Sequence, residues 1–194
     1  MRFSTGKLAK MGITVALAIA LKLPILSVPN VEFFTFIVFC AGFLFGITEG
    51  AIVGGLSMSL YTTFNPYGLA PLPIAFSQVF SMILIGISGG MTFKSNIICR
   101  DRPFPPLAGS ALGMTGLPRA GLKTCPYIIM GILAIVFTLI YDLLTNFAVA
   151  YILGSFIPVM VAAIPFSLIH IASNLAIFVV LTPVLLKLAK MENR

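Results

Sequence analysis

Two ionisable residues, Asp142 and His170, stand deep inside long apolar runs of this sequence and are its best candidates for chemistry. A polar group inside a membrane span costs free energy, so its placement points to a function or a partner. On a helix, Asp142 shares a face with Thr138 and Thr145, and His170 shares one with Asn174, because residues three and four apart are neighbours. The spacing therefore predicts two polar stripes within an apolar bundle.

The polar side chains of several predicted helices gather at one end of the bundle. Asn146 lies one turn further out than Asp142, and Glu32 and Gln78 stand near the outer starts of two other helices. We expect Asp142, Asn146 and His170 to line a polar pocket that opens to the outside. The alternative is an internal hydrogen-bonded pair of Asp142 and His170 that ties two helices together, because buried polar groups need partners. The two interpretations are compatible.

An enzyme active site is not indicated by these residues. Ser167, His170 and Asp142 could form a catalytic triad on paper, but Ser167 and His170 lie one turn apart on the same helix, and no nucleophile motif accompanies them. His170 is the sole histidine, which disfavours a metal centre, and the sequence has no glycine-rich phosphate loop for ATP. We therefore expect a non-catalytic protein that needs no metal ion or other cofactor.

The composition is that of an integral membrane protein. Apolar residues make up 59% of the 194 residues, charged residues only 9%, and the mean hydropathy is +1.11. A soluble domain carries about 25% charged residues. The apolar runs predict one all-α transmembrane domain over residues 1–194, a six-helix bundle with spans at about 8–27, 31–48, 50–64, 72–92, 125–152 and 158–188. The third span, about 22 Å long as a helix, would be too short to cross a bilayer unaided.

The basic residues predict the orientation of this bundle. With a cytoplasmic N-terminus, all of the 12 lysines and arginines except Lys22 fall on the cytoplasmic side, as the positive-inside rule requires. We therefore expect both termini in the cytoplasm and the protein in the plasma membrane. We interpret Lys22 as snorkelling towards the outer interface rather than binding a ligand. The proline- and glycine-rich stretch 94–124 is expected to be a mobile cytoplasmic connector.

Small residues recur at helical spacing in two places. Glycines occupy every fourth position from Gly42 to Gly54, and Gly12, Ala16 and Ala20 have the same spacing in the first span. Such strips let helix backbones approach closely in lipid, where packing rather than hydrophobicity drives helix association. We interpret the glycine strip as packing within the bundle, whereas the strip of the first span could equally serve a second protein.

The order and spacing of these features resemble those of a membrane-protein family, the substrate-binding S components of energy-coupling factor (ECF) transporters. The resemblance covers nearly the whole chain. Besides the six helices and the strip of the first helix, it rests on VPNVEFF opening helix two, CAGFLFGITEGAIVGGLSMSLY across helices two and three, and FNPYGLAPLPIAFSQ leading into helix four. It implies a subunit that captures a vitamin or related micronutrient from outside.

The resemblance also implies protein partners. Members of the family dock on a transmembrane coupling protein and a pair of cytosolic ATP-binding subunits, and release their substrate inside. The family's docking strip on helix one matches Ala16 and Ala20, with Gly12 one turn earlier. A scaffold protein of the cell-wall, rod-shape-determining machinery, which is related in fold, is the alternative. The gathering of polar residues on the outer side favours a soluble ligand.

In this family, the outer helix ends and the loops joining helices one to two and three to four form the substrate pocket. Tryptophan, on which many members stack their ligand, is absent here, so Tyr67, Phe64 and Tyr141 would have to serve. The stretch FNPYGLAPLPIAFSQ would be a lid that the substrate meets first, and the carboxylates would favour a ligand rich in hydrogen-bond donors or bearing positive charge. The implied substrate contacts are Asn30, Glu32, Asn65, Tyr67, Gln78, Tyr141, Asp142, Asn146 and His170.

Overall fold

The computed structural model of the chain describes residues 4–25, 28, 30–66, 68–94 and 120–192. Within these residues the fold is entirely helical, without β-strands, which confirms the predicted all-α class. Four helices are long and apolar enough to cross a membrane: Thr5–Ile25, Leu72–Lys94, Pro126–Leu153 and Phe156–Met191. The α-helices of the described residues are α1 (Thr5–Lys22), α2 (Phe34–Phe45), α3 (Ile47–Phe64), α4 (Leu72–Lys94), α5 (Ala120–Leu153) and α6 (Phe156–Glu192).

The boundary between α2 and α3 differs from the predicted one. Gly46 separates the two helices with a φ of 122°, a backbone conformation that favours glycine. For this reason α2 ends at Phe45 rather than near residue 48, and α3 begins at Ile47 rather than at residue 50. With 18 residues, α3 is about 27 Å long at 1.5 Å per residue, which is longer than the predicted span, although it is not among the four helices of the described residues that are long and apolar enough to cross a membrane.

The predicted connector 94–124 overlaps the beginning of α5. This helix starts at Ala120, so residues 120–124 are helical and do not belong to a connector. Glycine and proline lowered the apparent helical tendency of this stretch, yet α5 continues through Pro126. The stretch 95–119 lies outside the described residues.

Helices α2, α3 and α4 pack at backbone contact through glycines. A Cβ atom built on Gly42 or on Gly50 would overlap the carbonyl oxygen of Gly86, and one built on Gly54 would overlap the carbonyl oxygen of Met82. Gly42, Gly50 and Gly54 of the predicted glycine strip therefore serve packing within the bundle, because only the absence of side chains lets these backbones approach so closely, whereas Gly46 forms the break between α2 and α3.

An aromatic cluster joins these glycine-packed helices to α5 and α6. The ring centre of Phe39 on α2 lies 5.6 Å from that of Phe137 on α5 and 5.6 Å from that of Phe178 on α6. All three side chains are buried. Tilted ring pairs at such distances add about 0.5–1.5 kcal/mol beyond their buried area. The cluster fills the interior of the bundle midway along α2.

Helix α1 lies at the edge of the bundle and packs mainly against α2 and α3. The predicted docking strip, Gly12, Ala16 and Ala20, is on its exposed side. Among the described residues, no other side chain or neighbouring backbone comes within 4 Å of a Cβ built on Gly12. The opposite side packs into the bundle through Met11, Val15 and Ala18.

An ion pair holds the N-terminal end of α1. The ammonium of Lys7 lies 2.5 Å from Oε1 of Glu49, which stands in the first turn of α3. Glu49 is buried, whereas Lys7 is half-exposed. A buried carboxylate is tolerated only when it is paired or hydrogen-bonded, so this contact keeps the start of α1 against the start of α3.

Replacing Gly86 by alanine should destabilise the bundle. The added methyl group would overlap the backbone of Gly50, and extra atoms in a packed interior cost about 1–3 kcal/mol. We expect a lower midpoint of thermal unfolding in detergent, followed by far-UV circular dichroism. Gly12→Ala is the matched control, because this helical glycine has open space around it and alanine has the higher helix propensity. An unchanged midpoint for Gly86→Ala would contradict the close packing.

Candidate functional site

A polar cavity of about 450 Å³ lies at the end of the bundle where α1 and α3 end and α2, α4 and α6 begin. All six helices or their connections contribute to its wall. Residues that are far apart in the sequence therefore meet at one place. Seven of the predicted substrate contacts line the cavity: Asn30, Glu32, Gln78, Tyr141, Asp142, Asn146 and His170.

The two other predicted contacts belong to the connection between α3 and α4. Asn65 does not line the cavity, because its side-chain amide donates hydrogen bonds to the carbonyl oxygens of Thr62 and Gly68, at 3.3 and 2.9 Å. Asparagine often closes its own turn in this way, and a prediction from loop position alone overlooked that use. Tyr67 lies outside the described residues.

An ion pair in the cavity wall joins α1 to the start of α2. The ammonium of Lys22 donates a hydrogen bond to Oε2 of Glu32, and the two side chains are only 12% and 10% exposed. The same ammonium lies 4.4 Å from the ring centre of Tyr61 and 5.2 Å from that of Phe34, distances at which a cation and a ring attract each other. Lys22 therefore points into the bundle, and its interpretation as a snorkelling residue is wrong.

His170 and Asp142 form the second pair of the cavity wall. Nδ1 of His170 lies 2.7 Å from Oδ1 of Asp142, so an ionised Asp142 accepts the hydrogen of Nδ1. Nε2 faces Glu32, whose Oε1 is 3.8 Å away, beyond hydrogen-bond distance. The ring of Tyr141 packs edge-on against the imidazole, with ring centres 5.8 Å apart. The predicted Asp142–His170 pair is thus present, and it is part of the cavity wall.

The connection that carries Glu32 is held against α6 by hydrogen bonds from both sides. Asn30 adopts a positive φ of 59°, which asparagine tolerates better than most residues. Its side-chain amide donates to the carbonyl oxygen of Phe166 at 3.0 Å, and Ser173 donates to the carbonyl oxygen of Asn30 at 2.8 Å. Asn30 therefore lines the cavity and also fixes the position of Glu32.

One helical turn further into the bundle than Asp142 and His170, a hydroxyl and an amide side chain form hydrogen bonds with each other. The side-chain amide of Asn174 donates to the hydroxyl of Thr138 at 2.9 Å, and Thr138 donates to the carbonyl oxygen of Ala134 at 2.8 Å. Asn174 and Thr138 are fully buried. Together with the pair of Asp142 and His170, this contact confirms that the two predicted polar stripes face each other, one on α5 and one on α6.

Besides apolar side chains, the predicted substrate contacts omitted four polar residues of the cavity wall: Lys22, Tyr61, Thr145 and Ser167. The place of Lys22 in the wall could have been predicted from its charge. Glu32 stands at the other end of the short connection between α1 and α2, and a buried carboxylate needs a cation as its partner. Thr145 lies on the predicted stripe of Asp142. No pattern in the sequence distinguishes Tyr61 from the other aromatic residues of the chain.

Removing the ammonium of Lys22 should destabilise the protein, because it leaves Glu32 buried without its cation. Loss of one member of a buried pair costs about 3–5 kcal/mol, whereas loss of an exposed, snorkelling lysine would cost less than about 0.5 kcal/mol. We expect Lys22→Met to lower the free energy of unfolding in mixed detergent micelles by the larger amount. The double variant Lys22→Met/Glu32→Gln should recover most of it, since no unpaired charge remains. A single variant as stable as the unsubstituted protein would contradict the buried pair.

Within the described residues, no group of three or more His, Cys, Asp or Glu side chains is arranged to hold a metal ion. The carboxylate of Glu32, which faces His170, is already paired with the ammonium of Lys22. No family model matches the chain, and no curated protein or solved structure matches it either. The function is therefore inferred from the cavity and from the helices around it.

Proposed function

We propose that this chain is the membrane-embedded, substrate-binding subunit, the S component, of an ECF-type importer. In this role it captures a vitamin or related micronutrient from outside and carries out no chemistry itself. The observation that carries the proposal is the cavity. Its volume of about 450 Å³ falls within the roughly 300–1,000 Å³ of small-molecule sites, and paired charges line it within an otherwise apolar bundle.

The distribution of lysines supports an outward-facing cavity. Positive residues stay on the cytoplasmic side during insertion, which supports the proposed arrangement of six membrane-spanning helices with two cytoplasmic termini and a cavity at the outer side of the plasma membrane. With 12 residues, α2 is only about 18 Å long, so part of the outer half of the bundle is left to the connection before α2 and to the cavity. Non-helical backbone at membrane depth is tolerated where it lines such a cavity. The lysines at helix ends remote from the cavity are Lys7, Lys10, Lys94, Lys187 and Lys190.

The contacts of His170 favour binding over catalysis. Ser167 and His170 both line the cavity, and Nδ1 of His170 is engaged by Asp142, which leaves Nε2 as the nitrogen that could act as a base on Ser167. Its Nε2 has no hydrogen-bond partner among the described residues, so no base is positioned on the hydroxyl of Ser167. A serine nucleophile needs such a base.

The exposed side of α1 supports docking on a partner in the membrane. Small residues at Gly12, Ala16 and Ala20 leave its backbone accessible, and such strips allow close helix–helix contact in lipid. The proposed partners are the transmembrane coupling protein and two ATP-binding subunits of the importer. A cell-wall scaffold with a related fold would instead co-purify with cell-wall synthesis proteins, and it would give no reason for a cavity with buried charges.

Asp142→Ala should weaken binding of the natural ligand without unfolding the bundle, because the carboxylate stands in the cavity wall. Mass spectrometry of small molecules released from the gently purified protein identifies the ligand, and its amount per protein measures the effect. We expect at least a tenfold loss, since a hydrogen bond to a charged group contributes about 1.5–3 kcal/mol. Leu143→Ala is the control, because the neighbouring side chain points out of the bundle. Equal ligand content in both variants would place the binding site elsewhere.

Tryptophan at Ala16 or Ala20 should abolish uptake into cells and leave ligand content unchanged, because the bulky ring blocks the exposed strip of α1 but lies away from the cavity. Uptake assays with the identified ligand, and co-purification of the ATP-binding subunits, measure the two effects. Val180→Trp on the exposed side of α6 is the matched control. Uptake that survives tryptophan at both α1 positions would remove the docking assignment.

A further inference from the structure

The charged groups of the cavity differ in how far they are already engaged. Lys22 is paired with Glu32 and lies against the ring of Tyr61, so its ammonium offers little to a further anion. Asp142 engages His170 through Oδ1, whereas its Oδ2 is buried and has no hydrogen-bond partner among the described residues. A buried acceptor without a partner costs about 1–3 kcal/mol. Oγ1 of Thr145 and Nε2 of His170 also lack a partner among the described residues, so the carboxylate of Asp142 is the negatively charged one of these three incompletely engaged groups of the cavity wall.

The formal charge of the cavity depends on one proton. Lys22 of α1 neutralises Glu32 of the following connection, while α5 contributes Asp142 and α6 contributes His170. With a neutral imidazole the cavity carries one negative charge in excess. With an imidazolium, four side chains of alternating charge lie next to one another, in the order Lys22, Glu32, His170 and Asp142, and their charges sum to zero.

The other polar groups of the cavity wall do not change this count. The phenols of Tyr61 on α3 and Tyr141 on α5 are uncharged at physiological pH, and α4 contributes the neutral amide of Gln78. An uncompensated charge inside an apolar bundle is costly. Either a proton on His170 or a positive charge on a ligand therefore neutralises the site.

We propose that the cavity takes an organic ligand with a single positive charge, which is seated beside Asp142 in exchange for the proton of His170. This inference rests on the proposed function, because it concerns the same cavity, and it adds the charge of the ligand and its coupling to a proton. When the imidazolium binds such a cation, its proton leaves to the solvent and the net charge of the site stays the same. By linkage, the cation favours the neutral imidazole, and protonation of His170 weakens cation binding by the same factor.

The presence of a single histidine in the chain makes this exchange directly observable. Protein labelled with ¹⁵N-histidine, freed of any histidine tag and placed in lipid nanodiscs, gives the NMR signals of one imidazole. Methylammonium chloride serves as the cationic test compound, since it is small enough to enter the cavity whatever the shape of the natural ligand. We expect the midpoint of His170 protonation to move to lower pH as methylammonium replaces sodium at constant ionic strength.

Two variants test where the cation is seated. Asp142→Asn keeps the size of the side chain but removes the charge, so the midpoint should no longer depend on methylammonium. Leu143→Ala, whose side chain points away from the bundle, should retain the full dependence. The readout is the change caused by methylammonium rather than the midpoint itself, so an effect of Asp142→Asn on the empty protein does not obscure the result.

Sodium acetate distinguishes a cationic from an anionic ligand. An anion bound to Lys22 would favour the imidazolium and move the midpoint to higher pH, and this result without a methylammonium effect would overturn the proposal. A midpoint that responds to neither ion would overturn it as well. A neutral or anionic natural ligand found by mass spectrometry, and lost in Asp142→Ala, would overturn the cation exchange while leaving the proposed binding function in place.

Discussion

The buried carboxylate of Glu32 connects the elements at the cavity end of the bundle. It pairs with Lys22 at the end of α1 and faces Nε2 of His170 on α6 at 3.8 Å. Because a buried charge is tolerated only with partners in good geometry, the position of Glu32 constrains the end of α1, the connection before α2 and the facing turn of α6. The hydrogen bonds of Asn30 to α6 serve the same constraint. The cavity exists because these elements are held around one carboxylate instead of closing on each other.

The bundle uses two kinds of contact to hold its helices together. Lipid tails are as apolar as the helix surfaces, so hydrophobicity alone does not drive association in a bilayer. Helices α2, α3 and α4 are held together by close backbone packing at Gly42, Gly50 and Gly86. Helices α5 and α6 are held together by hydrogen bonds between their polar stripes. The cavity lies where these two halves meet, above the cluster of Phe39, Phe137 and Phe178.

The sequence allowed the helical class and the residues of the cavity to be predicted better than the boundaries and the ion pairs. Hydrophobic runs and the three- and four-residue spacing of polar groups depend on local geometry, so Asp142 and His170 could be placed together before the structure was known. The break between α2 and α3 at Gly46 depends on one backbone angle, which a pattern of glycines does not reveal. The side chain of Lys22 points towards a carboxylate and two aromatic rings from other segments. Its position near a helix end does not reveal these partners and suggested the membrane interface instead.

Two ion pairs fix the ends of α1 relative to the rest of the bundle. In mechanical terms α1 is a rod with a charged support near each end, Lys7 and Lys22, about 22 Å apart at 1.5 Å per residue, and with buried side chains between them. Its exposed strip lies between the supports, so the strip keeps a fixed height and rotation relative to the bundle while both pairs are intact. One support is part of the cavity wall and the other is not. The Lys22–Glu32 pair therefore links the cavity wall directly to the helix that carries the strip, whereas the Lys7–Glu49 pair holds the same helix independently of the cavity.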